Sequence, residues 1–312
     1  METISMHKGS WRWARIDLEA GEHGSDVPGL PDPCIDWLSS VSAGDNQNLE
    51  METTEEGKEA VWGSVIYYQD VEKRENKKVF QYILTHDLLV TDPIDFDRLY
   101  RLKGSEVMQK LDHAETAIEG FMILLGETVA SFLKDIDGFE NRMHDLLWQI
   151  KEQNNENVLE RIMENRHEIL VWKNLIIPII EVKDAMLEAF GDEVSDGRNY
   201  TRTCRRINRC LEIIEQYDDE IRQMTDLETV LSSYRGNEIV KTLTVITLLF
   251  TPLAAWGALW GMNFEVMPEL KWQFGYLFAI LIIIATTAWL YVYLKQKNWI
   301  GDVLRSPKGR KF

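Results

Sequence analysis

Residues Trp260–Leu270 read WGMNFEVMPEL, a polar corner set between two long apolar runs. Before it, Thr242–Met262 (TLTVITLLFTPLAAWGALWGM) holds no charge in 21 positions. After Lys271, Trp272–Leu294 (WQFGYLFAILIIIATTAWLYVYL) holds none in 23. At about 1.5 Å of rise per residue, either run crosses a hydrocarbon core of about 30 Å. Pro252 interrupts the first run, which membrane helices tolerate when neighbours satisfy the freed backbone group. Aromatic residues gather toward the run ends, at Trp256, Trp260, Trp272, Tyr276, Tyr291 and Tyr293, as an interfacial belt requires. The corner is therefore the link of a transmembrane hairpin.

Orientation follows from the basic residues. Lys295, Lys297, Arg305, Lys308, Arg310 and Lys311 follow the second run, whereas the link holds only Lys271. Basic residues stay on the cytoplasmic side, which predicts a multi-pass cell-membrane protein with both termini cytoplasmic and the link outside. The N-terminal METISMHKGSWRW has no apolar stretch of signal-peptide length.

The 312 residues carry 34 Lys/Arg and 51 Asp/Glu, a formal charge of −17. Eight basic and three acidic residues fall from position 240 onward, so the first 239 residues keep 26 basic and 48 acidic, a net −22. Such acidity argues against nucleic acid as a partner and favours cations or basic surfaces; a merely soluble acidic domain fits it too. Cys34, Cys204 and Cys210 are too few and too oddly spaced for a disulfide framework, in keeping with a reducing compartment.

Residues 10–18 alternate as a strand does, 35–41 fit a helix after the turn-rich GLPDP, and VWGSVIYYQDV, KKVFQYILTH and DLLVT read as strands. These predict a cytoplasmic α/β domain over 1–95. Long helical patterns follow through a helical region, 96–198: one over roughly 105–153, another over 155–190 with a kink at Pro178. A third begins near Asn199 and meets no stop before Trp260. Ile213, Tyr217, Met224, Leu227, Leu231 and Tyr234 form its packing stripe. The expected order is thus a stalk helix (199–241) continuous with a first span (242–262), an external loop (263–271), a second span (272–294) and a basic tail (295–312). The fold class is an α+β cytoplasmic domain with long helices plus a two-helix transmembrane hairpin.

Two spans cannot enclose a path, so ion passage needs several copies around an axis with one helix from each lining the hole. The first span carries the polar stripe Asn237, Thr244, Thr247 and Thr251, with Val240 and Leu243 beside it; ordinary helix–helix packing explains such a stripe as well. Asn263 at the corner can present an amide oxygen to a passing cation. Mg²⁺ dehydrates reluctantly, and neutral oxygens suit an ion that keeps its water. Glu265 and Glu269 would concentrate cations just outside.

Gly261-Met262-Asn263-Phe264 followed by Met267-Pro268-Glu269-Leu270, between two terminal spans, resembles the signature of the CorA magnesium channels and transporters. The segment NEIVKTLTVITLLFTPL, Asn237 to Leu253, is similar to that family's pore helix. The resemblance implies a homopentameric funnel with Gly261, Met262 and Asn263 as selectivity filter and Asn237, Val240, Leu243, Thr251 and Ala254 facing the pore, beside Thr247 of the stripe. It also implies a regulatory Mg²⁺ between subunits in which Asp226 takes part, with Asp45, Glu50, Glu52 or Glu55 as the other carboxylate. Trp260 stands where the family more often has tyrosine, and Ala254 where a hydroxyl residue is frequent. The expected function is passive, Mg²⁺-gated influx of hydrated Mg²⁺. Co²⁺ or Ni²⁺ is the nearest alternative; zinc is disfavoured because no histidine lies in 226–312. A membrane-tethered interaction or sensor protein is the rival from another class. No catalytic motif is present in the six scattered histidines or elsewhere, so an enzyme is not expected.

Overall fold

The computed structural model describes residues 2–18, 27–41, 48–96, 104–152, 157–195, 197–263, 267–268 and 272–300. The chain divides into two compact units, Met1–Thr225 and Asp226–Phe312.

The first unit is built on a six-stranded sheet: β1 (Glu2–Met6), β2 (Trp11–Arg15), β3 (Leu49–Glu52), β4 (Ala60–Gln69), β5 (Lys77–Leu84) and β6 (Leu88–Thr91), in the order β1-β2-β6-β5-β4-β3. All neighbours are antiparallel except β2 and β6, which pair in parallel from Arg12↔Leu88 to Arg15↔Thr91. Alternation sorts the side chains between two faces. Ala14, Trp62, Ile83 and Val90 join Cys34, Trp37 and Leu38 of helix α1 (Asp32–Ser40) in one cluster. On β5, Phe80 and Tyr82 point the other way, and the Tyr82 ring lies 4.6 Å from that of Phe121. The sheet is sandwiched between α1 and the long helices.

Two long helices cover that face, α3 (Ala117–Glu152) and α4 (Asn157–Phe190); the others are α2 (Gly104–Leu111), the single turn α5 (Asp192–Ser195), α6 (Arg198–Trp260) and α7 (Gly275–Gln296). The single helix predicted over roughly 105–153 is two, and the break has a local cause. Thr116 Oγ1 accepts the Glu119 amide at 3.1 Å, and Glu119 Oε2 accepts the Glu115 amide at 2.9 Å. This is a capping arrangement that starts α3 afresh. The loop is held from the sheet side: Trp11 Nε1 donates to Ala114 O at 2.8 Å and Ser10 Oγ to Glu115 O at 3.0 Å. By contrast α4 runs through Pro178 unbroken.

The α3–α6 contact is close because Gly126 leaves room for Thr203, whose Oγ1 donates to Met122 O at 2.9 Å. Glu127 is buried with Lys110 Nζ and Arg206 Nη1 each at 3.0 Å, so its charge is matched twice. Asp218 on α6 is similarly held by Lys173 at 2.5 Å and Arg222 at 2.8 Å, which ties α4 to α6. The predicted packing stripe on α6 is used in part. Met224 is buried and Tyr217 packs edge-on to Phe139 at 5.5 Å, whereas Leu227 and Tyr234 are exposed.

In the second unit, Val245 of α6 packs with Leu294 of α7 and with Ile300, flanked by Leu248, Leu249 and Leu290. The expected continuity of stalk and first span is present: one helix of 63 residues covers both. The second helix begins at Gly275 rather than Trp272. Residues 272–274 form a turn in which Gly275 N–H bonds Trp272 O at 2.9 Å, with the Trp272 ring edge-on to Phe274 and Phe278.

Candidate ion-conduction site

The apolar windows of α6 and α7 are long enough to cross a membrane, and only 6% of each is buried by the chain's own packing. An uncovered apolar surface of this length needs lipid or another protein chain around it. At about 100° per residue, Asn237, Val240, Leu243, Thr247, Thr251 and Ala254 occupy a single arc of roughly 120° on α6. All six are exposed, Val240 and Leu243 by 62% and 64%. Of the residues that meet α7, Val245 and Leu249 lie on the other side of the helix, and Leu248 lies just past the Asn237 edge of the arc. The structure therefore places the sequence-predicted lining residues together, on a face that α7 leaves open.

The hydroxyls on this helix have a defined chemistry. Thr244 Oγ1 donates to Val240 O at 2.8 Å, Thr247 Oγ1 to Leu243 O at 2.9 Å and Thr251 Oγ1 to Thr247 O at 2.8 Å. Each spends its single proton on a carbonyl one turn back. What remains free is the lone-pair side of the oxygen, an acceptor. Thr247 and Thr251 thus present acceptors and no donors on the exposed arc, which matches the hydrogens of a hydrated cation.

The helix stops at the corner. Gly261 N–H bonds Gly257 O at 3.0 Å and Met262 N–H reaches Leu259 O at 3.5 Å, after which the backbone leaves the helix. A Cβ on Gly261 would sit 3.0 Å from Gly257 O and 3.6 Å from Ala258 O, so glycine suits this tight end. Gly261, Met262 and Asn263 are all exposed there. One turn back, the indoles of Trp256 and Trp260 stack with centroids 5.2 Å apart. In the sequence Trp256 was a belt residue and Trp260 both a belt residue and the aromatic before the motif; their i, i+4 spacing was the available signal for the stack.

Other predicted residues are not gathered. Glu265 and Glu269 lie outside the described residues, as does Asp45. Asp226 is exposed on α6, and no group of three or more His, Cys, Asp or Glu able to hold a metal occurs among the described residues. Glu50 and Glu55 are exposed. Glu52 is half-buried, and its carboxyl is held below the usual range by hydrogen bonds from Thr54, whose amide it accepts at 2.8 Å. All three cysteines are free, with Cys34 and Cys210 buried.

A sheet-bearing unit and an apolar two-helix hairpin that share one unbroken helix define an integral membrane protein. Comparison with known proteins gives the family. The model of the CorA-like Mg²⁺ transporter protein matches residues 32–296. The chain is 43% identical over 263 residues to the magnesium transport protein CorA of Bacillus subtilis, covering 84% of this chain and 83% of that one. The cobalt/magnesium transport protein CorA of Thermotoga maritima is 34% identical over 87 residues, 28% of this chain and 25% of that one. Among solved structures, a complete CorA magnesium transporter from Methanocaldococcus jannaschii superposes with a TM-score of 0.68 at 16% identity, covering 96% and 95% of the two chains. Full-length CmaX gives 0.65 at 15% identity over 93% and 89%. The chain belongs to the CorA-like Mg²⁺ transporter family. It is a membrane protein of a family of transporters, not of enzymes.

Proposed function

We propose that the protein conducts hydrated Mg²⁺ passively into the cell through an axis enclosed by several copies, five on the family resemblance. The observation that carries this reading is the exposed α6 arc from Asn237 to Ala254, which leads to an exposed Asn263 where the helix ends. Copies of α6 facing one another along that arc would give a lumen apolar at Val240 and Leu243 and acceptor-lined at Thr247 and Thr251. The apolar ring would gate by dewetting. Asn263 would form the selectivity ring at the mouth with Gly261 and Met262, and Glu265 and Glu269 would attract cations to it. An inside-negative potential of 100 mV supplies roughly 4.6 kcal/mol for a divalent ion, from about 2.3 per charge. No protein-driven energy input is then required.

Co²⁺ is a second cargo under this reading, supported by the name of the Thermotoga maritima relative and by the similar hydration of these ions. For zinc the absence of histidine from residues 226–312 counts against the soft-ligand chemistry it prefers. Feedback by intracellular Mg²⁺ would involve Asp226. Asp226 is exposed and belongs to no group of three or more metal-holding side chains among the described residues, so an ion at that place needs acidic groups from a second copy. The test of the reading is Mg²⁺ uptake into vesicles holding the purified protein, wild type against Asn263→Ala. Loss of uptake in the variant is the expected result; uptake equal to wild type overturns the selectivity ring, and no uptake by the wild type overturns transport.

A further inference from the structure

The start of α6 carries a feature that the conduction site does not use. Arg198, Arg202, Arg205 and Arg209 recur at spacings of four, three and four, which puts all four on one side of the helix. Thr203, Ile207, Cys210 and Ile214, between and after them, are buried and mark the opposite side, against which α3 packs. The four arginines are exposed, and among the described residues none has a carboxylate within ion-pair distance. Arg206, one step off the stripe, is fully engaged with Glu127 and Gly126 O at 3.0 Å. Four uncompensated guanidinium groups in a row are conspicuous in a region whose net charge is −22.

The same unit holds a surface of opposite sign. Asp32 and Asp36 lie exposed on α1, Glu50 is exposed and Glu52 half-buried on the sheet-edge strand β3, and Glu55 is exposed just beyond it. Their fields overlap. The Cys34 thiol is pushed up to about 12 by burial, with Glu52 and then Glu50 adding to it, while Lys58 is held above its usual value by Glu55 and also feels Asp32. Among the described residues Lys58 is the one cation paired there, with Glu55 at 2.6 Å. Stripe and patch both belong to the first unit, yet no ion pair joins them within the chain among the described residues.

We infer that the arginine stripe of one copy docks on the α1–β3 acidic patch of a second copy of this chain, forming an ion-pair belt between subunits. This rests on the multimer of the proposed function and adds to it a contact made by the protein's own cations. A divalent ion bridging two carboxylates can leave when its concentration falls. Guanidinium–carboxylate pairs stay, and Arg offers carboxylates a two-pronged match that a point charge lacks. The belt therefore holds the copies together whether or not Mg²⁺ is bound. It weakens with salt, because exposed pairs are screened over about 8 Å at physiological ionic strength.

Cysteine cross-linking in the full-length protein tests this. A chain bearing Arg205→Cys is co-expressed with a differently tagged chain bearing Glu50→Cys. Both are purified with EDTA and oxidised. A disulfide-linked product carrying both tags is expected, and adding Arg202→Glu and Arg209→Glu should reduce its yield, with Lys at those two positions restoring it. Absence of the two-tag product, or a product that forms only with Mg²⁺ present, overturns the belt. Circular dichroism of each variant checks its fold, and Arg202→Gln with Arg209→Gln repeats the comparison should reversal unfold it. Asn263→Ala chains should cross-link like wild type, so the belt and the conduction reading fail independently.

Discussion

Trp256 and Trp260 stack one turn apart on α6, their planes within 23° and their centroids 5.2 Å apart, three residues before Asn263. The pair braces the last turn of the helix, where Gly261 N–H bonds Gly257 O one turn back and the chain turns away after Met262. An aromatic pair is worth about 0.5–1.5 kcal/mol beyond the area it buries. That is enough to change the population of an ordered helix end by roughly 2- to 12-fold.

Trp256→Leu is therefore expected to loosen the turn that carries Asn263 and to raise the Mg²⁺ concentration at half-maximal uptake more than it lowers the maximal rate. Trp256→Phe keeps a ring over Trp260 and should lie closer to wild type. Uptake curves for the two variants in the same vesicles decide it; identical curves would make the stack a membrane anchor only.

Gly120→Ala tests the seam between β2 and α3. A methyl group there would stand 2.6 and 2.8 Å from two atoms of the Trp11 indole, which is buried and pinned by its bond to Ala114 O. Alanine gains about 0.5–1 kcal/mol of helix preference over glycine, but forcing atoms into a filled core costs about 1–3. The steric cost exceeds the gain, so the variant should melt at lower temperature than wild type when followed by circular dichroism. A higher melting temperature would show that Trp11 can move aside.

How much of this could be read in the sequence differs along the chain, for physical reasons. The hairpin and its corner were legible because uninterrupted apolar runs and a glycine turn are local signals, and the 63-residue helix was legible because nothing stops it. Strands β1 and β3 were not singled out: each is an edge strand of four or five residues with too short an alternation to register. The parallel pairing of β2 with β6 joins residues more than seventy positions apart, which no local pattern encodes. The break before α3 was written in Glu115-Thr116-Ala117-Ile118-Glu119 as a cap, yet apolar periodicity continues on both sides and masked it. The site arc was visible as a stripe, but its being left open by α7 depends on which face Val245 and Leu248 turn to Leu290 and Leu294.

Asp218 sets a pH-dependent element of stability. Its side chain is 6% exposed and its carboxyl is held below the usual value, first by the Lys173 hydrogen bond at 2.5 Å against the opposing effect of burial, then by the charges of Lys173 and Arg222. A carboxyl lowered in the folded state contributes stability at pH above its unfolded value, near about 3.9. The contribution is lost as pH falls from there through the folded value. Asp218→Asn takes the carboxylate charge from Lys173 and leaves Arg222 only Asp219 at 3.8 Å, and should cost about 1–3 kcal/mol at neutral pH. The difference from wild type should begin to shrink as pH falls below about 4 and vanish only below the folded value, where both lack the charge. Melting curves across pH read this directly, and a difference that stays constant down to acid would remove Asp218 from the account.

The threonine oxygens give the last test, because their protons are already committed. Thr247→Val with Thr251→Val keeps the shape of the arc and the helix, since each hydroxyl bonds only a carbonyl one turn back that retains its helical partner role. What disappears is a pair of acceptors per copy facing the lumen of the proposed pore. A hydrated ion crossing that level then loses hydrogen bonds from its water shell, each worth about 0.5–1.5 kcal/mol net and more next to a charge. Mg²⁺ uptake should fall in the double variant while Thr247→Ser with Thr251→Ser, which restores an oxygen at each place, recovers it. The helix content of both should match wild type by circular dichroism. Full uptake in the valine variant would mean that the ion passes this level without touching the wall, and the acceptor-lined stretch would then play no part in conduction.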